Sequence, residues 1–275
     1  MRGLPRIPDL LTTANLVCGT ASILLASQGQ LTMACWLVFA GAAFDVLDGL
    51  AARALGGGTD LGKQLDSLAD LVTFGVAPGM LAYVIVLDLH LNLFQVGAFV
   101  IYVHTDGGRL GTVLGLEGEP LEKLLQFAIP IVIAVASCWR LAKFNLDNRQ
   151  STGFLGLPTP ANALFWGSIG LSLDSGFFGL LEHQHDFFLR NLAVVLAFPG
   201  RALLLAILLS VLMLSSIPLP SLKFKHFGWR GNEVIYLLLG IGAMLVVLYG
   251  VLAVPLILVL YLLSPLWGRV FLKVG

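Results

Sequence analysis

The chain alternates long apolar stretches with short polar segments over its whole length. Since about 20 apolar residues cross the hydrocarbon core of a bilayer as a helix, the pattern predicts about eight membrane spans, with roughly six or seven as alternatives. The predicted spans are 10–27, 31–54, 66–87, 121–140, 160–181, 193–217, 232–250 and 252–268. The apolar stretch 92–104 is shorter and is predicted to form an interfacial or lumen-side helix. The expected fold is all-α, a polytopic transmembrane helix bundle.

The composition agrees with a membrane protein. Hydrophobic residues make up 57% of the chain and charged residues 12%, whereas a soluble domain carries about 25% charged residues. This excludes a disordered tail, a coiled coil and an ordinary soluble globule as the main content. The 16 basic residues balance the 16 acidic ones, so no basic field indicates a nucleic-acid partner.

The positions of lysine and arginine predict how the bundle is oriented. With the eight predicted spans and a cytoplasmic N-terminus, most basic residues fall on the cytoplasmic side, as the positive-inside rule requires. Those left outside are Arg109, Lys123, Arg190 and Arg201. We therefore expect an integral membrane protein with both termini in the cytoplasm. The stretch 10–27 is interpreted as a retained first span rather than a signal peptide, because it is long and lacks a small-residue cleavage site.

Four aspartates interrupt two neighbouring apolar helices. Asp45 and Asp48 are three residues apart, and Asp66 and Asp70 are four apart, so each pair lies on one helix face. The glycine-rich turn 55–60 can fold the two helices back on one another. The four carboxylates are therefore expected to converge near the cytoplasmic end of the bundle.

Small residues accompany both acidic pairs. Gly49 and Ala52 continue the face that carries Asp45, and Gly62 lies one turn before Asp66. Residues without bulky side chains let helices approach closely and leave room for a ligand. We therefore expect a space beside the acidic group.

The charge of this group predicts a metal site. One aspartate at the centre of a bilayer costs about 2.5–3.5 kcal/mol, and Arg53 alone cannot neutralise four of them. Two divalent cations would balance the charge, and carboxylate oxygens suit Mg²⁺, Mn²⁺ or Ca²⁺. Because the group contains no histidine, zinc and copper are not expected. Asp60, within the turn, is expected to face water instead.

A paired-metal site in an open space favours phosphoryl transfer. Two close metal ions can hold a diphosphate and stabilise charge on the attacking and leaving oxygens. A carboxylate less committed to the metals can accept the proton of an attacking hydroxyl. The alternative, helix-end acids that only face water, does not suit acids within apolar helices.

The spacing of these residues resembles the signature of the CDP-alcohol phosphatidyltransferase family. Each fixed position of that pattern is present, including the eight residues between Arg53 and Gly62. The resemblance implies an enzyme of a prokaryotic inner or cell membrane that moves a phosphatidyl group from a CDP-linked lipid to an alcohol and releases CMP. The metal ligands that it implies are Asp45, Asp48, Asp66 and Asp70, and it implies Asp70 as general base. The nucleotide neighbours that it implies are Asp48, Gly49, Ala52, Arg53 and Gly62.

Further segments resemble the branch of this family that uses CDP-diacylglycerol and L-serine. They are the stretches 8–15, 62–78, 140–145 and 156–160. Two departures from that branch are Thr73, where serine is more usual, and Lys143, where arginine is. Lys143 keeps the positive charge but lacks the bidentate fork of arginine.

A serine acceptor carries a carboxylate, so its pocket should offer a cation near the metal site. Arg140, Lys143 and Asn145 lie at a helix end on the same side as the acids and are the candidates for this acceptor and phosphate site. The alternative for these residues is simple positive-inside anchoring.

The predicted organisation is a catalytic transmembrane core over 1–170, with the acidic motif at 45–70, followed by additional helices of the same membrane domain over 171–275. The resemblance also implies a homodimer surrounded by membrane lipids. One alternative keeps the chemistry but uses glycerol 3-phosphate or an inositol phosphate as acceptor. A remote alternative is an ion-coupled transporter, which would predict paired half-sites in two repeats rather than acids on two consecutive helices.

Overall fold

The computed structural model describes residues 6–57, 59–94, 120–146, 154–173, 186–219 and 233–272. Within these ranges the protein consists of helices and one pair of two-residue strands. The helices are α1 (Ile7–Ser27), α2 (Leu31–Ala54), α3 (Asp60–Leu71), α4 (Ala77–Phe94), α5 (Pro120–Leu146), α6 (Thr159–Leu173), α7 (Asp186–Leu196), α8 (Pro199–Leu214), α9 (Glu233–Tyr249) and α10 (Ala253–Leu272). The strands are β1 (Phe154–Leu155) and β2 (Pro218–Leu219). The expected helix bundle is confirmed.

Five helical stretches of the described residues are long and apolar enough to cross a membrane. They are Ile7–Ser27, Leu31–Ala54, Asp60–Leu91, Pro120–Leu146 and Tyr236–Ser264. The helix Pro199–Leu214 is apolar but shorter. This shorter helix is one reason why five candidates are found rather than the eight predicted spans. In addition, α6 has only 15 residues within the described range, and the last stretch, Tyr236–Ser264, combines two predicted spans.

That last stretch contains two antiparallel helices. α9 and α10 are joined by a short 3-10 turn that begins at Gly250, whose φ is +54°. Leu238 of α9 packs with Tyr261 of α10, and a Cβ on Gly242 would lie 3.4 Å from Ile257. Residues so far apart in sequence meet only if the chain reverses between them, so the two predicted spans are separate helices joined by a tight turn.

The second acid-bearing helix begins earlier than predicted. Asp60 is the first residue of α3 rather than part of the turn, although it is exposed as expected. The side chain of Thr59 accepts a hydrogen bond from the Gly62 N–H at 2.9 Å. This contact caps the helix N-terminus and explains why the helix begins there.

Two other predicted stretches also differ from the structure. The predicted span 193–217 is divided, because α7 ends at Leu196 and α8 begins at Pro199, where proline suits the first helical turn. For the predicted interfacial stretch 92–104, α4 ends at Phe94, and the rest of that stretch lies outside the described residues.

The central helix of the bundle runs through α3 and α4. It is continuous over Asp60–Leu91, and its apolar window is 72% buried, against 33% or less for the other candidate spans. A π-helical stretch, Val72–Val76, joins α3 to α4 and begins two residues after Asp70. Such single-turn π segments widen a helix locally and occur frequently at functional sites.

α1 and α2 form a hairpin that packs against this central helix. The turn between them contains Gly29, whose φ of +77° suits glycine. The Ser22 hydroxyl donates to the Ala34 main-chain oxygen at 2.8 Å and joins the two helices. Thr12 and Asn15 are buried on α1. The N-terminal end of α1 therefore brings polar groups to the same end of the bundle as the last turns of α2.

β1 and β2 join the segment before α6 to the end of α8. Phe154 pairs with Leu219 in antiparallel register. Gly156 follows β1 with a φ of +71°, and a Cβ there would lie 2.6 Å from the Ser215 main-chain oxygen. Residues beyond 171, Met213 among them, share the hydrophobic core with the first half of the chain.

Candidate functional site

Three of the predicted metal ligands converge at one end of the bundle. One carboxylate oxygen each of Asp45, Asp48 and Asp66 lies within 4.8 Å of the other two. The first two acids lie in the last three turns of α2, and the third lies in α3. Between the helices the chain reverses through Gly56 and Gly57, whose φ values are +89° and +106°. The glycine-rich turn thus joins the two acidic faces.

Asp70 lies one turn after Asp66 and adjoins the same group. Its carboxyl group is within hydrogen-bonding range of Asp45 and interacts electrostatically with Asp48 and Asp66. The Asn15 side chain donates from Nδ2 to Asp70 Oδ1 at 3.1 Å. The structure therefore brings all four acids together and adds α1 as a third element that contacts them.

Apart from one another, the acids have uncharged polar partners. The Thr12 hydroxyl lies 2.6 Å from Asp48 Oδ2 and 3.0 Å from the Pro8 main-chain oxygen. Asp48 is buried, with 7% of its surface exposed. Asp66 Oδ1 is buried and has no hydrogen-bond partner. Across the described ranges, none of the four acids forms an ion pair with a lysine or arginine.

These observations fit a bound divalent cation. Like charges at this distance repel one another, and burial removes the water that would otherwise stabilise them. A cation held by Asp45, Asp48 and Asp66 would offset both costs and provide a partner for the lone Asp66 oxygen. Because all donors are carboxylate oxygens, the site suits Mg²⁺, Mn²⁺ or Ca²⁺ better than zinc or copper.

An open pocket of about 370 Å³ adjoins the acids. It lies between the N-terminal end of α1, the last turns of α2 and the first turns of α3. Of the residues predicted to border the nucleotide, those that line it are Asp48, Gly49, Ala52 and Gly62. Arg53 is exposed and is not part of the lining.

The two glycines in this pocket differ in their surroundings. A Cβ on Gly62 would lie 3.0 Å from Asp9 Oδ1 and 3.1 Å from Thr59 Oγ1, so this glycine lets α3 approach α1. A Cβ on Gly49 would meet no atom within 4 Å. Gly49 therefore borders open space, whereas Gly62 lies in the packed contact between α1 and α3.

Sequence reasoning missed the contribution of α1. Arg6, Pro8, Asp9 and Thr12 line the pocket, and Asn15 contacts Asp70. A sequence signal for this contribution was present, because Asp9, Thr12 and Asn15 follow one another at intervals of three along a mostly apolar helix. Such spacing places polar side chains on one helix face.

The buried Arg140 side chain lies among main-chain oxygens rather than beside the acids. Its Nη1 donates to the Leu155 oxygen at 3.0 Å and has a longer contact of 3.4 Å to the Met213 oxygen. It does not line the pocket. The guanidinium thus joins α5 to β1 and to the last turn of α8, a role that the predicted acceptor site did not include.

The other two predicted acceptor residues lie near the end of α5. Lys143 is exposed. The Asn145 side chain donates from Nδ2 to the Ser67 hydroxyl at 2.8 Å, and Ser67 follows Asp66 directly in α3. The C-terminal end of α5 therefore reaches the acid-bearing helix, and it does so through Asn145.

The family signature and similar sequences decide the identity. Residues 6–105 match the CDP-alcohol phosphatidyltransferase model. The chain is 30% identical over 269 residues to the CDP-diacylglycerol–serine O-phosphatidyltransferase of Helicobacter pylori (strain ATCC 700392 / 26695), covering 97% of this chain and 92% of that protein. The chain belongs to the CDP-alcohol phosphatidyltransferase family.

Other relatives of this family member carry related names. The Bacillus subtilis (strain 168) protein of the same name is 31% identical, over 80% of this chain and 92% of its own length. The archaetidylserine synthase of Methanothermobacter thermautotrophicus is 31% identical, over 78% of this chain and 69% of its own length. The prediction of a membrane transferase of phospholipid synthesis is confirmed.

The family match covers the four acids, Asn15 and the whole lining of the pocket. Arg140 and Asn145 lie beyond it. In this CDP-alcohol phosphatidyltransferase the converging acids on α2 and α3 lie within the family match, while α5 contacts α3 from outside the matched range through Asn145.

Proposed function

We propose that this protein transfers the phosphatidyl group of CDP-diacylglycerol to the hydroxyl group of L-serine, giving phosphatidylserine and CMP. The observation that carries the chemistry is the convergence of Asp45, Asp48 and Asp66, with Asp70 adjoining them, beside an open pocket within apolar helices. The choice of serine is supported by the names of relatives in Helicobacter pylori and Bacillus subtilis.

The reaction is a displacement at phosphorus. The serine oxygen forms a bond to the lipid-side phosphorus of CDP-diacylglycerol, and the bond from that phosphorus to the bridging oxygen of CMP breaks. CMP leaves with the electron pair of the broken bond. The proton of the serine hydroxyl must go to a nearby base, for which we propose Asp70.

Asp70 is proposed as the base because it lies at the edge of the group. Asp45, Asp48 and Asp66 form the compact oxygen set that suits metal, whereas Asp70 also contacts Asn15 of α1. A positioned carboxylate that accepts a proton in the transition state typically contributes a factor of about 10²–10⁴ to the rate. Asp70 could also ligate metal, as the family resemblance implies.

The cofactor is proposed to be two divalent ions, Mg²⁺ or Mn²⁺, held by Asp45, Asp48, Asp66 and Asp70, with Ca²⁺ as a further occupant. When bound, such ions supply positive charge to the diphosphate oxygens. The protein contributes four carboxylates on two helices, of which Asp48 is buried and the others half-buried. Thr12 donates to Asp48 and Asn15 donates to Asp70.

The nucleotide is proposed to occupy the pocket of about 370 Å³. Asp48, Gly49, Ala52 and Gly62 would border it, and Gly49 leaves open space where a side chain would stand. Arg53, which is exposed near the same end, is proposed to contact the nucleotide from outside the pocket.

For the acceptor, Asn145 has the most support, because its amide bonds Ser67 next to Asp66. Lys143 is proposed to supply the cation for the serine carboxylate. Arg140 is retained as a candidate whose guanidinium already donates to a main-chain oxygen. The acids, the pocket and both termini are proposed to face the cytoplasm, where the positive-inside rule also puts Arg53, Lys63 and Lys143.

The decisive experiment is an acceptor panel with the purified full chain. With CDP-diacylglycerol and Mn²⁺ or Mg²⁺, radiolabelled serine should yield phosphatidylserine and CMP in equal amounts. Glycerol 3-phosphate and inositol phosphate serve as competing acceptors. Transfer to one of them in place of serine would keep the chemistry and refute the proposed acceptor.

Two further arms test the mechanism. Asp70→Asn should lower the turnover by about 10²–10⁴, whereas Gln64→Ala, an exposed residue of the same helix, should leave it unchanged. Excess EDTA should abolish transfer. Full activity of Asp70→Asn would remove the proposed base, and full activity in EDTA would remove the metals. The homodimer stays a prediction, which light scattering of the purified protein checks.

A further inference from the structure

Asn15 connects the proposed base to a different helix. It is fully buried on α1, and its Nδ2 donates to Asp70 Oδ1 at 3.1 Å. An ionised carboxylate only accepts hydrogen bonds, so the amide must present its nitrogen to Asp70. The bond therefore restricts where the Asp70 carboxylate can point.

The Asp70 carboxylate sets the orientation of the Asn15 amide, whose own oxygen is buried without a hydrogen-bond partner. A Cβ on Gly41 of α2 would lie 3.0 Å from Asn15 Oδ1. The amide oxygen thus faces the backbone of α2, while the amide nitrogen faces α3. Rotation of the side chain would put the oxygen next to a carboxylate, which repels it.

Thr73 holds the backbone of Asn15 by a second hydrogen bond. Its hydroxyl donates to the Asn15 main-chain oxygen at 2.9 Å, and the side chain is fully buried. It occupies space that Gly19 and Gly41 leave free, since a Cβ on either glycine would collide with it. Thr73 belongs to the π-helical stretch that begins two residues after Asp70.

Two hydrogen bonds connect Asp70, Asn15 and Thr73. Asn15 holds the carboxylate of Asp70, and Thr73, three residues after Asp70, holds the main chain of Asn15. Both bonds join α1 to the same turn of the central helix. A carboxylate whose hydrogen-bond donor is itself held in place keeps its orientation before substrate arrives, which is how supporting hydrogen bonds usually assist a reacting group.

We propose that Asn15 and Thr73 are positioning residues that hold Asp70 in the orientation required to accept the proton of the acceptor hydroxyl. Asn15 acts through its amide on Asp70, and Thr73 acts through the main chain of Asn15. This inference rests on the proposed function, because it assumes that Asp70 is the base.

The test compares steady-state kinetics of four variants in the purified full chain. Asn15→Ala should lower kcat by about 10–100-fold, with the KM for serine and for CDP-diacylglycerol within about twofold of wild type. Thr73→Val, which keeps the side-chain shape but loses the hydroxyl, should lower kcat by about 3–10-fold. Thr73→Ser keeps the hydroxyl and should retain kcat within about twofold.

Ser22→Ala is the matched control. Ser22 is also fully buried on α1, and its hydroxyl donates to Ala34 of α2, away from the acids. Its loss should leave kcat within about twofold of wild type while lowering thermal stability slightly. If Asn15→Ala does not fold, Thr73→Val and Thr73→Ser still test whether these hydrogen bonds position Asp70.

Metal binding gives a readout that is independent of turnover. Asn15 donates to Asp70 and to none of Asp45, Asp48 and Asp66. The affinity for the Mn²⁺ ion held by those three acids, measured by electron paramagnetic resonance, should therefore change by less than about threefold in Asn15→Ala. A parallel fall in kcat and Mn²⁺ affinity would overturn the proposal. So would an unchanged kcat, a loss equal to that of Ser22→Ala, or a change confined to KM.

The failure of this inference can be told from failure of the proposed function. No serine-dependent release of CMP by the wild type would refute the function. An active wild type and a strongly impaired Asp70→Asn, together with an Asn15→Ala that behaves like Ser22→Ala, would refute only the positioning role.

Discussion

Asp70 and Arg140 are both charged side chains within membrane-spanning helices, yet the structure surrounds them differently. Asp70 adjoins three other carboxylates and accepts a hydrogen bond from Asn15. Arg140 donates to main-chain oxygens, Leu155 the nearer at 3.0 Å. Asp70 therefore belongs to a group of negative charges without a basic partner among the described residues, whereas Arg140 is surrounded by neutral acceptors.

The difference shows that burial of a charge within a membrane helix does not by itself indicate a reactive site. A buried charge can be retained because it satisfies main-chain groups that would otherwise lack partners. A group of like charges without a basic partner needs something from outside the chain. The partners of a side chain, rather than its burial, distinguish the two cases.

The largest expected effect concerns the acidic group. Asp45→Asn removes one carboxylate from the metal trio, so we expect at least about a 10³-fold loss of serine transfer, since bound metal supplies several kcal/mol of transition-state stabilisation. Without added metal the unfolding temperature should not fall, because a repelling charge is removed. Radiolabelled transfer and thermal unfolding measure the two quantities. A large drop in stability without metal would show that the acids support the fold instead.

The second prediction concerns Arg140. Arg140→Met leaves the Leu155 and Met213 oxygens without their donor, so we expect the unfolding midpoint to fall by roughly 5–10 °C. Arg140→Lys keeps a cation and should lose less. The turnover per folded molecule should stay within about threefold of wild type, because this side chain lies outside the pocket.

A kinetic effect of substituting Arg140 would contradict the structural role that distinguishes it from Asp70. If Arg140→Lys kept its stability but raised the KM for serine strongly, the guanidinium would be part of the acceptor site, as the sequence suggested. Measuring KM for serine and for CDP-diacylglycerol separately distinguishes the two outcomes.

The smallest expected effect concerns the space beside the acids. Gly49→Ala adds a methyl group to the open pocket and should raise the KM for CDP-diacylglycerol by about tenfold, with kcat nearly unchanged. Gly240→Ala is the matched control, since a Cβ at this exposed position of α9 also meets nothing within 4 Å. Both changes should stabilise their helices by about 0.5–1 kcal/mol. Equal KM values for both variants would show that the nucleotide does not use the space at Gly49.

Much of the fold and the acidic group could be predicted from the sequence. The second span was predicted as 31–54, and α2 runs from Leu31 to Ala54. Hydrophobic length sets such boundaries because a helix must match the bilayer. The separation of Asp45 and Asp48 sets their common face through the helical repeat alone.

Other features depended on contacts between distant parts of the chain. Nothing in the local sequence of Arg140 indicates that its guanidinium meets the end of α8, 73 residues later. The role of α1 was also missed, because Thr12 and Asn15 gain their meaning from the acids that they contact. Helix starts such as Asp60 depended on a capping contact by Thr59.

The sequence by itself determined that the chain enters a membrane and carries four aspartates on two neighbouring helix faces, because hydrophobic length and helical periodicity are local properties. Only the tertiary structure decided which of the polar groups meet. That choice depends on how α1, α5 and α8 pack around the central helix, where each buried donor or acceptor must find a partner among residues far away in sequence.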